Sequence, residues 1–143
     1  MGVLKDFDCT KIRRDQAVEV GNEKHNIIRP GLSYLGICRQ HGCPALGCSV
    51  VCNRGHGDHL VNDDIMTEVV KCPLCQKPFV LETIALFQCT GAITAHHQQE
   101  ESTAVEAKGM EIVKFGARNS AKFNVQGVLI SVKTKSLSSC SIS

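Results

Sequence analysis

The chain has no tryptophan, one tyrosine and five phenylalanines among 143 residues. Large aromatic rings fill a core most efficiently, so aliphatic side chains, or something other than packing, must hold this one together. No apolar run approaches the ~20 residues that cross a bilayer as a helix. Met1-Gly2-Val3-Leu4 meets Lys5, Asp6 and Asp8 at once, without the apolar stretch of a secretory signal. The expected location is therefore cytoplasmic or nuclear. A basic excess is missing too. Residues 1–30 carry six Lys or Arg against five Asp or Glu, residues 31–80 four against four, and residues 81–143 six against five. An even balance with no basic or aromatic stripe speaks against a nucleic-acid-binding zinc ribbon, which stays an alternative only.

What the chain does have is cysteine. There are nine, and seven fall between Cys38 and Cys89. In a reducing compartment, clustered cysteines point to metal before disulfides. Cys38-Arg39-Gln40-His41-Gly42-Cys43 is a C-x4-C loop, and Cys72-Pro73-Leu74-Cys75 is a C-x2-C loop. A tetrahedral Zn2+ takes four thiolates at ~2.3 Å. A two-residue spacer lets one tight turn present both sulfurs to one ion, and Pro73 fixes a backbone angle in that turn. The predicted ligands are Cys38, Cys43, Cys72 and Cys75, the cofactor is Zn2+, and its role is structural. Catalytic zinc keeps three protein ligands and an open position, and no general base stands near these four in sequence. No catalytic residue is assigned.

A second metal site is conceivable from Cys48, Cys52, His56 and His59. With the first four they make the eight ligands of a RING-like ubiquitin ligase binding two zincs, and Pro78-Phe79 after the second pair suits that reading. The order lacks the C-x2-C pair that should follow the histidine. The plainer reading makes Cys48 and Cys52 small buried side chains on one face of a strand, and His56 and His59 solvated loop residues. His96-His97 reads as exposed loop.

The expected fold is small and β-rich, β or α+β: a zinc ribbon with an additional β-hairpin. Residues 1–27 form an N-terminal arm, with a short strand at Ala17-Val18-Glu19-Val20. The ribbon covers 28–91, with strands at Cys48–Cys52, Phe79–Leu81 and Ile84–Phe87, and a strand or helical turn at Met66–Lys71. Residues 92–109 are polar without an apolar period and read as a loop. Met110–Phe115 and Ala121–Lys133 read as a hairpin in 110–135, with a bulge at Gly127, packed on the ribbon. Residues 136–143 read as a disordered serine-rich tail. Its end, Cys140-Ser141-Ile142-Ser143, fits the C-a-a-X prenylation pattern in its Ile and final Ser. That lipid would bring weak membrane association. A chance cysteine in a serine-rich tail is the simpler reading.

Arg29-Pro30-Gly31-Leu32, Leu35-Gly36-x-Cys38, Cys43-Pro44-Ala45, Lys71-Cys72-Pro73-Leu74-Cys75 and Phe87-Gln88-Cys89 together resemble a little-described eukaryotic family. Its pattern runs P-G-L-x3-G-x-C-x4-C-x-A-Y, then K-C-P-x-C, then C-x-F-x-N-C. Leu46 stands where the family has Tyr. Ile84 stands where it has the first Cys of its last pair, which leaves Cys89 single. The resemblance covers about residues 28–91. Family members often carry ubiquitin-like domains beside this unit, and none is recognisable here. The resemblance implies a zinc-binding module near ubiquitin biology, with no established activity; the closed set of four cysteines, with no open coordination position, points to recognition of another protein.

Overall fold

In a computed structural model of the chain, residues 7–117 and 127–137 are described. The strands are β1 (Phe7–Arg13), β2 (Gly31–Ile37), β3 (Ser49–Gly55), β4 (Gly57–Leu60), β5 (Thr83–His96), β6 (Glu100–Ala117) and β7 (Leu129–Ser136), with one helix, α1 (Val61–Met66). All pair antiparallel in one sheet. Its order is β1-β6-β5-β2-β3, with β7 also on β5 and β4 on β7. The β-rich expectation holds.

The β5–β6 hairpin is the spine. One edge of β5 pairs with β6, while the other divides between two partners: Thr83–Phe87 pair with β2, and Cys89–His96 pair with β7. The register slips between Phe87 and Cys89. There Gln88 (φ +48°) and Gly109 (φ +58°) take left-handed backbone, and Gln88 Nε2 donates to the Gly109 carbonyl at 3.1 Å. Such a bulge bends a long hairpin, and a bend is needed here. A straight strand from Glu100 to Ala117 would run roughly 56 Å, whereas the ten covalent steps from Ala117 to Gly127 reach at most about 36 Å. Yet Gly127 lies beside the hairpin's far end, its carbonyl 2.7 Å from His97 Nδ1.

In its first half the sheet is buried on both faces, as alternation requires. Leu32, Tyr34, Ile84, Leu86, Val113 and Phe115 belong to one core. Leu35, Val51, Ala85, Phe87 and Ile112 belong to the other, together with Ala17 and Ile28 from the segment before β2. That segment is therefore no loose arm. Asn53 clasps it: its Nδ2 donates to the Ile27 carbonyl at 3.0 Å, and its Oδ1 accepts from Arg29 N–H at 2.8 Å.

Several local expectations are corrected. Ala17–Val20 is not strand; a 3-10 turn at Arg14–Gln16 precedes it, and the strand lies earlier, in β1. Phe79–Leu81 is not strand either, since β5 begins at Thr83. The polar stretch 92–109 is mostly strand, with its turn at 97–99. Its small apolar side chains reach the core on alternate positions, with Ile93, Ala95 and Ala107 fully buried. β6 does not pair with β7; each flanks β5. Gly127 is a turn residue and not a bulge. The tail from Ser138, with Cys140, lies outside the described residues, whereas Ser136 ends β7.

Candidate metal centre

Both cysteine loops sit at hairpin tips. Cys38 and Cys43 lie in the connection from β2 to β3. Cys38 N–H donates to the Cys48 carbonyl at 3.1 Å, Gly47 N–H to the Cys38 carbonyl at 2.7 Å, and Cys43 N–H to the Gln40 carbonyl at 3.2 Å. Cys72 and Cys75 lie in a smaller turn closed by pairing between Lys71 and Pro78. In it Cys72 N–H donates to the Lys77 carbonyl at 3.0 Å and Gln76 N–H to the Cys72 carbonyl at 2.9 Å. Gly36 seats the second turn on the first. A β-carbon there would lie 2.4 Å from both the Phe79 ring and the Val80 carbonyl oxygen, far inside van der Waals contact, so no larger residue lets the two hairpins approach.

This packing brings the four predicted sulfurs together. All lie within 4.8 Å of one another. Cys38 Sγ is 3.9 Å from Cys75 Sγ, and Cys43 Sγ is 3.9 Å from Cys72 Sγ. A tetrahedron with ~2.3 Å metal–sulfur bonds has edges of roughly 3.8 Å, so the four fit such an ion with a small contraction. Two backbone amides already point at sulfur: Ala45 N–H to Cys43 Sγ and Leu74 N–H to Cys72 Sγ, each at 3.4 Å. Such second-layer bonds orient ligands and spread thiolate charge. Cys38, Cys43 and Cys72 are buried, and Cys75 is half-buried.

Electrostatics separates the thiols. Burial pushes Cys38 up to about 12 and raises Cys72. At Cys75 burial acts the same way, but hydrogen bonds from the Lys77 backbone and the neighbouring thiols outweigh it and hold the group below its ordinary value. Ligating thiols must lose their protons, so metal binding at this site would release protons and weaken as pH falls.

The other candidates are not gathered. Among the described residues, the four cysteines are the one group of three or more His, Cys, Asp or Glu placed to share an ion. Cys48 and His56 are exposed. Cys52 is buried, and its Sγ donates to the Val69 carbonyl at 3.2 Å. His59 faces Asp64, Nδ1 to Oδ2 at 4.0 Å. Cys89 is fully buried inside β5, and His96 and His97 are exposed at the far hairpin turn.

One polar group escaped the sequence reading. The single tyrosine, Tyr34, is fully buried, and its hydroxyl donates to Asp64 Oδ2 at 2.6 Å, with Arg54 Nε 3.7 Å from the same oxygen. Burial first, then this carboxylate, push the phenol upward. The bond ties α1 to β2. A signal existed: a buried tyrosine needs a partner for its hydroxyl.

Set against protein-family models, curated proteins and solved structures, the chain matches none. The resemblance to the cysteine-rich family rests on the motifs alone, and what the fold shows of it is a four-cysteine group able to hold a metal ion.

Proposed function

We propose that this protein is a zinc-binding module, that the zinc is structural, and that the module serves to recognise another protein. The observation that carries the reading is the sulfur cluster: four thiols within 4.8 Å, three of them buried, at the tips of two hairpins. An all-sulfur set favours Zn2+ over the hard, oxygen-seeking cations. A closed set of four leaves no position for substrate. With aromatic packing scarce, ion binding would add folding energy where the two hairpins meet. The motif resemblance favours a place in the ubiquitin system.

The test is zinc per chain in metal-replete protein purified under reducing conditions, with Cys72→Ser alongside. One zinc in the parent, lost with cooperative folding in the variant, supports the reading. Two zincs would favour the RING-like alternative, and a ubiquitin-transfer assay would then follow. No zinc would sink it.

A further inference from the structure

β6 pairs with β5 from Glu100 to Ala107 and from Ile112 to Gly116, but β1 covers only its far half, from Glu111 to Ala117. Among the described residues, no strand lies on the outer side of β6 from Glu100 to Met110. An open strand edge presents a row of backbone donors and acceptors, and proteins blunt such edges or use them.

The charge of this edge is mostly negative. From Glu100 to Met110 it carries Glu100, Glu101 and Glu106 against Lys108 alone. Glu100, Ser102, Ala104 and Glu106 are exposed on one face. A second copy pairing antiparallel about Thr103 would set Glu100 opposite Glu106, and like charges directly opposite are destabilising. A basic strand has no such conflict, and the protein itself provides the precedent. β1 carries Lys11 and Arg13, lies antiparallel on β6, and places Lys11 Nζ 3.6 Å from Glu111 Oε1. Where β1 and the open stretch adjoin, a cavity of about 200 Å³ is bounded by Cys9, Lys11, Ala104, Glu106 and Val113. It has room for one aliphatic side chain.

We infer that the β6 edge from Glu100 to Ala107 docks an extended, Lys- or Arg-bearing segment of a partner protein. The segment adds to the sheet as an antiparallel strand in line with β1 and seats one aliphatic side chain in the cavity beside Val113. The inference rests on reading the chain as a recognition module and supplies its partner class. Two existing contacts of this edge, Glu106–Lys108 at 3.7 Å and His96–Glu100 at 3.8 Å, are exposed pairs, which are weak.

The test titrates the zinc-loaded, 15N-labelled full chain with a capped heptapeptide alternating lysine and valine, and with its glutamate-for-lysine counterpart. The expected result is amide shift changes and slowed hydrogen exchange at alternate residues of 100–107 with the lysine peptide only. Glu106→Lys, an exposed change, should weaken binding about fivefold, as expected when an attractive surface pair becomes repulsive. Four results overturn the inference: no binding, shifts centred elsewhere, equal binding of the glutamate peptide, or edge amides already slow to exchange without peptide, through self-association or cover by the chain itself. Zinc is measured on the same samples. Peptide binding without zinc would fail the metal reading alone, and zinc without peptide binding would fail this inference alone.

Discussion

The two halves of the β5–β6 spine are held in different ways. Beside Thr83–Phe87 the sheet is covered on both faces, by two aliphatic cores and by the paired cysteine hairpins. Beside Cys89–His96 one face is buried through Ile93, Ala95, Ile130 and Val132, while Thr94 and Ser102 meet at 3.1 Å on an exposed surface. The first half joins segments far apart in sequence, such as the loops at Cys38 and Cys72. Closing long loops costs entropy, and an ion held by the four sulfurs would offset it. The second half is a local hairpin with β7 laid along it, and it needs no clamp.

The comparison can be broken at several points. The largest effect is expected from the clamp. Cys72→Ser, or a strong chelator, should destabilise the first half by on the order of 3 kcal/mol or more. Hydrogen exchange should then quicken in residues 36–82 well before 89–96 and 100–107. Equal loss in both halves would contradict the division.

Next comes the seat of the second hairpin. Gly36→Val forces a side chain into the Phe79 ring and the Val80 carbonyl. It should cost about 2–3 kcal/mol and weaken zinc binding, read by denaturant melts and competition with a chromogenic chelator. Tyr34→Phe removes the bond to Asp64 and should cost about 1–2 kcal/mol by leaving a carboxylate without its donor. Zinc content should not change.

The smallest effect tests the cover over the opposite face. Lys114 Nζ bonds to Glu19 in a mostly buried pair. Burial opposes ionisation of Glu19, but the hydrogen bond and charge of Lys114 outweigh it and lower the group from its ordinary value near 4.5. A lowered carboxylate stabilises the fold above its unfolded value, and that stabilisation is lost as pH falls through the folded value. Lys114→Met should therefore cost about 1 kcal/mol near neutral pH, and the difference should close in acid. Thermal melts of both proteins from about pH 7 down to about pH 3 read it.

The cysteine set was legible because its signal is local: C-x4-C and C-x2-C are turns that work within six residues of chain. What the sequence concealed was long-range or weakly patterned. Nothing local in β1 announces a partner a hundred residues away in β6. The stretch 92–109 looked like a loop because its buried positions are mostly alanine, Ile93 excepted, and its outer ones Thr, Ser and Glu. That is a half-buried strand with little hydrophobic contrast. Cys48, Cys52, His56 and His59 looked like a ligand set by count, but Cys48 and His56 are exposed while Cys52 bonds to the Val69 carbonyl and His59 faces Asp64. Tyr34 needed the fold to show that its partner sits on α1.

The most direct test of the account is X-ray absorption at the zinc edge on the reduced, metal-loaded full chain. The account predicts one zinc per chain with four sulfur neighbours at ~2.3 Å and no nitrogen or oxygen in the first shell. A mixed shell, or a second zinc with histidine ligands, would contradict it.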